Sequence, residues 1–68
     1  MEQETFNLSV RKFLKMVGVR SQHEIEQAVE KAMSSGAIKG SEKLSATMTL
    51  KISGLRLDVT FDGQIDLQ

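Results

Sequence analysis

Between Leu44 and Leu67 apolar and polar residues alternate almost without interruption, and no other feature of the sequence restricts the fold as tightly. Leu44, Ala46, Met48, Leu50 and Ile52 form one set, and beyond Ser53 and Gly54 the residues Leu55, Leu57, Val59, Phe61, Ile65 and Leu67 form its continuation. A period of two places each set on one face of a β-ribbon. A two-residue turn at Ser53-Gly54 is the expected reversal. It pairs Ile52 with Leu55, Leu50 with Leu57, Met48 with Val59, Ala46 with Phe61 and Leu44 with Gly63, so that one face is apolar throughout. The other face then sets Lys51 by Arg56, Thr49 by Asp58, Thr47 by Thr60 and Ser45 by Asp62.

Asp62-Gly63 is a competing hairpin dipeptide. Turning there would set Phe61 against Gln64 and Thr60 against Ile65, and a one-residue offset carries a whole strand to the wrong face. Gly63 is therefore expected inside one long strand, as a kink or bulge. The expected strands cover about 43–52 and about 55–67.

The N-terminal half changes period. Phe6, Val10, Phe13, Leu14 and Val17 fall on an arc of about 100° at 3.6 residues per turn, which predicts an amphipathic helix over about 6–17. Thr5 or Asn7 is the expected cap, and Gly18 suits a left-handed stop. Ser21-Gln22-His23-Glu24 has the form of a capping box, in which Ser21 and Glu24 each accept the other's backbone N–H. It is followed by Ile25, Ala28, Val29, Ala32 and Met33 at helical spacing, and Gly36 suits a second stop. A second helix is expected over about 22–35, and the short link implies a tight corner or an antiparallel pair. Residues 37–43 read as a connection with Ile38 tucked beneath it. The expected fold class is α+β: two helices packed on one face of an antiparallel hairpin, all in one domain.

At 68 residues, such a chain buries only roughly 60% of the surface its unfolded form exposes. No cysteine is present, so neither disulfides nor thiolate metal sites are available, and oligomerisation is the remaining means of stabilising so small a fold. Nine basic residues balance nine acidic ones, which removes the long-range attraction that dominates binding to nucleic acid or anionic membrane. The start Met1-Glu2-Gln3-Glu4 is acidic and no apolar run approaches the length of a signal or transmembrane segment. A cytoplasmic protein with no membrane association is the expectation.

Chemistry finds few candidates. His23, the only histidine, falls on the outward side of the second expected helix without an orienting partner or a nucleophile at useful spacing. Asp58, Asp62 and Asp66 share a strand face, but at about 3.3 Å per residue Asp58 and Asp62 stand roughly 13 Å apart, too far for a catalytic carboxylate pair or a two-metal site. They read as a solvated face. No phosphate-binding glycine loop and no histidine or cysteine ligand set occurs, so neither an enzyme nor a cofactor is expected.

Two surface features stand out. Arg11, Lys12, Lys15 and Arg20 make the first helix and its exit basic, whereas Glu24, Glu26 and Glu30 make the second largely acidic. The basic patch reads as a solvated face suited to the acidic helix of a partner subunit. Leu8 lies on the side of Lys12 and Lys15, away from the core stripe, as an apolar residue of a second contact surface. Along the first strand, Ser45, Thr47 and Thr49 lead to Lys51 as the one charge between Ser45 and Ser53, so the strand edge is weakly protected.

The segment from Phe6 to Lys15, with Val17-Gly18-Val19, Ser21-Gln22 and Glu24-Ile25-Glu26, resembles a family of short uncharacterised proteobacterial proteins, and the similarity extends through Gly36 and the alternating hairpin. The resemblance implies a bacterial cytoplasmic protein and assigns no functional residue. The expectation from the residues themselves is a small interaction module, a homodimer whose first strands pair across a two-fold axis into a four-stranded sheet. Its rival is a nucleic-acid-binding protein, since helix, turn, helix, strand, turn, strand is also the later part of a winged helix. In that arrangement Glu24, Glu26 and Glu30 of the reading helix would face phosphates, and only Lys51 and Arg56 would line the wing.

Overall fold

The computed structural model describes residues 1–68, which form one helix, α1 (Gln3–Ser35), and a hairpin of two strands, β1 (Lys43–Ile52) and β2 (Leu57–Asp66), joined through a short 3-10 turn at Ser53–Leu55. The chain divides into two compact units, Met1–Ala37 and Ile38–Gln68.

The first unit is a single helix of 33 residues, about 50 Å long at 1.5 Å per residue. This corrects the expectation of two helices: Gly18 is not a stop, Ser21 is not a cap, and no corner separates the halves. Without that corner the winged-helix arrangement is also absent. The physical reason lies in what a break would cost. A glycine inside a helix costs about 1 kcal/mol relative to alanine. Ending one helix and starting another leaves about four N–H and four C=O groups without helical partners. No proline forces a break anywhere. Ser21 also stands four residues from both Val17 and Ile25, so the apolar stripe passes through it, and Val17 and Ser21 are both half-buried.

The helix begins on Glu2 rather than Thr5 or Asn7. Its carboxylate accepts the backbone N–H of Glu4 at 2.8 Å and of Thr5 at 3.1 Å, and the Thr5 hydroxyl at 2.9 Å. These bonds, that of the Glu4 N–H foremost, hold the Glu2 pKa below its ordinary value. At the other end Gly36 is the expected left-handed stop, with φ at 78°. Its N–H donates to the Met33 carbonyl at 3.2 Å and the Ala37 N–H to that of Ala32 at 2.9 Å, the two bonds of a Schellman motif.

The second unit opens with a turn built on Glu42, whose carboxylate accepts the N–H groups of Lys39, Gly40 and Ser41 at 2.8, 2.9 and 3.1 Å. Ile38 is half-buried there. β1 and β2 then pair antiparallel from Lys43 opposite Asp66 to Ile52 opposite Leu57. The register is offset by two residues from the expected one, because the reversal uses Ser53 to Arg56 rather than Ser53-Gly54 alone. A two-residue turn of the common hairpin type asks for positive φ at both central residues, which Ser53 does not favour. The longer loop needs one left-handed residue, and Arg56 supplies it at φ 55°, its N–H donating to the Ser53 carbonyl at 3.3 Å.

A shift of two preserves every residue's face. Leu44 meets Ile65, Ala46 meets Gly63, Met48 meets Phe61, Leu50 meets Val59 and Ile52 meets Leu57 on the apolar side. The polar side improves: Lys51 stands opposite Asp58 instead of Arg56, Lys43 opposite Asp66, and the Thr49 and Thr60 hydroxyls lie 3.3 Å apart. Such cross-strand pairs contribute about 0.2–1 kcal/mol each, which offsets the roughly 1–2 kcal/mol of one left-handed non-glycine residue. Gly63 lies inside β2 as expected, yet without a bulge, since the register runs unbroken past it. β2 ends at Asp66, and Leu67 remains tied by its N–H to the Glu42 carbonyl at 3.2 Å.

No residue of the helix and none of the hairpin is buried. The hairpin's apolar face leaves Phe61 56% exposed and Met48 45%, and the helix leaves Leu14 54% and Phe6 48%.

Candidate interaction surface

On the hairpin, Ser45, Thr47, Thr49 and Lys51 are all exposed on the polar side of β1, facing Gln64, Asp62, Thr60 and Asp58 of β2. With only two strands in the sheet, each strand has one unpaired edge. Lys43 and Lys51 flank the edge of β1, and the seven residues Leu44 to Leu50 between them carry no charge. That run of unpaired backbone N–H and C=O groups is open to a further strand.

On the helix, Lys12, Lys15 and Arg20 come together with Met16 and Val19 around a shallow depression whose walls are almost wholly apolar. Arg11 is exposed but does not line it. Leu8 is 53% exposed, Met16 45% and Val19 62%. Val19 escapes a reading of the sequence as a surface residue because a helix ending near residue 17 assigns no face to the residues beyond it. Once the helix is continuous, Val19 lies eleven residues, three turns, from Leu8, on the same side. Two turns beyond Val19 on this side comes Glu26, which accepts from the Gln22 amide at 3.2 Å.

His23 is exposed. Asp58, Asp62 and Asp66 stand opposite Lys51, Thr47 and Lys43, spread along the strand as the spacing implies. No group of three or more histidine, aspartate or glutamate side chains is placed to hold a metal ion. Glu42 is the carboxylate whose surroundings the sequence conceals. The N–H of Lys39 and then that of Gly40 hold its pKa below the ordinary value of 4.5, and its work is done on its own turn. Taken each by itself, the hairpin presents an open strand edge and the helix a side that mixes cations with exposed apolar groups. No helix is long and apolar enough to cross a membrane.

A family model described as a family of unknown function (DUF6494) matches residues 1–68. No curated protein and no solved structure matches the chain.

Proposed function

Since the chain belongs to that family of unknown function over its whole length, we propose from its residues that it is a non-enzymatic interaction module working as a homodimer. One observation carries the reading: neither unit has a single buried residue. A two-stranded hairpin alone is marginally stable in water, and a helix without a packed apolar stripe draws little from intrinsic propensity. With no cysteine to staple the chain, a second copy is the simplest source of the missing cover.

The β1 edge is where that copy joins. Pairing Leu44 to Leu50 with the same residues of a second chain about a two-fold axis satisfies both edges at once and makes a four-stranded antiparallel sheet. Ser45, Thr47, Thr49 and Lys51 then line its polar side and Leu44, Ala46, Met48 and Leu50 its apolar side. The cysteine-free composition and the resemblance to short proteobacterial proteins support a place in a bacterial cytoplasm. Light scattering on the eluting protein at tens of micromolar tests the proposal. The expected mass is at least twice the 7.6 kDa of one chain, and a monomeric mass overturns it.

A further inference from the structure

The continuous helix brings onto one side a set of residues that two separate helices would have scattered. Taking Val19 as origin, Leu8, Lys12, Lys15 and Met16 lie eleven, seven, four and three positions before it, and Gln22, His23, Glu26 and Glu30 lie three, four, seven and eleven positions after it. All of these offsets fall within about 60° of Val19 around a helix of 3.6 residues per turn. The side is therefore mirrored about Val19 in position, with Lys12 mirrored by the opposite charge of Glu26, Lys15 by His23, Met16 by Gln22 and Leu8 by Glu30. Lys12 and Lys15 stand on the N-terminal arm, Glu26 and Glu30 on the C-terminal arm, and between them the exposed Val19 and Met16 floor the shallow depression.

We infer that this side of α1 pairs with the same side of a second copy, antiparallel, about a two-fold axis through Val19. In that register Val19 meets Val19, Met16 meets Gln22, Lys15 meets His23 and Lys12 meets Glu26, each contact occurring twice by symmetry. The valines and methionines, with the aliphatic stems of the lysines, supply apolar contact. The charges set direction: a parallel pair would place Lys12 on Lys12 and Glu26 on Glu26, whereas the antiparallel one places unlike charges together. A polyanion along the same side would meet Glu26 and Glu30 as well as the lysines, which disfavours nucleic acid or an anionic lipid surface as the occupant. The inference rests on the self-association proposed above and adds to the strand edge a second self-contact. If both contacts share one axis the closed assembly is a dimer, and if they use separate axes it is a tetramer of dihedral symmetry.

Charge exchange provides the test. Lys12→Glu and Glu26→Lys are each purified and followed by sedimentation velocity at low ionic strength across a concentration series, with circular dichroism to confirm unchanged helix content. Each variant alone places like charges at both symmetry-related contacts, and its self-association is expected to weaken by about tenfold or more. An equimolar mixture restores both attractive contacts, so it is expected to form mixed assemblies with near wild-type strength, seen by native mass spectrometry. Added salt is expected to narrow the differences. Unchanged association of both variants, or a mixture no stronger than its components, overturns the helix contact while leaving the proposed homodimer standing. A wild-type chain that is monomeric throughout overturns the homodimer itself. Binding of wild-type protein to duplex DNA or anionic vesicles that Lys12→Glu abolishes, with assembly unaffected, assigns the side to a polyanion and overturns the self-contact.

Discussion

Two carboxylates govern how the chain is shaped locally. Glu2 starts the helix, and Glu42 gathers the N–H groups of Lys39, Gly40 and Ser41 into the turn that precedes β1. Nothing in the spacing announces Glu42, because its partners are backbone groups and its role depends on Gly40 adopting a φ of 101°. Those bonds lower its pKa from the ordinary 4.5. A carboxyl group whose folded pKa is depressed binds its proton more readily in the unfolded chain. Its stabilisation is thus complete above the unfolded value and disappears as pH falls through the folded one. The variant Glu42→Gln is accordingly expected to unfold at lower urea than wild type at neutral pH, and the gap is expected to close on acidification below 4.5. A gap independent of pH would contradict this role.

At the scale of elements, the hairpin was readable and the helix only half so. Alternation from Leu44 to Ile65 is enough to define both faces, since any register that keeps parity keeps them. The choice between registers differing by two rests on finer matters, Lys51 meeting Asp58 rather than Arg56 and a left-handed Arg56, which a pattern of apolar residues does not encode. The helix misled because Gly18 followed by Ser21 and Glu24 carries the local signs of an end and a beginning. Local caps are worth about 1 kcal/mol each, less than an uninterrupted ladder of backbone hydrogen bonds across residues 17–24. The basic patch was likewise legible as a set of cations, but Val19, which lies with Met16 beside them, gained a place on that side only when the helix ran through it. Glycine substitution separates a continuous α1 from a broken one. Gly18 has helical neighbours and open space where a Cβ would stand, so Gly18→Ala is expected to stabilise by about 0.5–1 kcal/mol in urea unfolding. Gly36 has equal space but φ at 78°, so Gly36→Ala is expected to destabilise by about 1 kcal/mol. Destabilisation by Gly18→Ala would mean that the helix ends there after all.

At the scale of the whole molecule the numbers of charges cancel, but their order along α1 does not: cations occupy residues 11–20, and Glu24, Glu26 and Glu30 dominate the C-terminal half of the helix. Under the proposed self-contact this order favours one orientation of a second copy, while zero net charge gives little long-range pull on polyanions. Apolar area points the same way. Phe6, Phe13, Leu14, Val19 and Phe61 remain near half exposed or more in a chain with no buried residue, and this is area that the proposed association would draw on. If folding and assembly are one process, stability depends on how much protein is present. The urea midpoint measured from roughly 1 to 100 μM chain at fixed pH and salt reads this dependence directly, through the mass-action link between assembly and folding. The midpoint is predicted to rise steadily with concentration, and a midpoint that stays constant across that range would contradict the claim that the core of this protein lies between its copies.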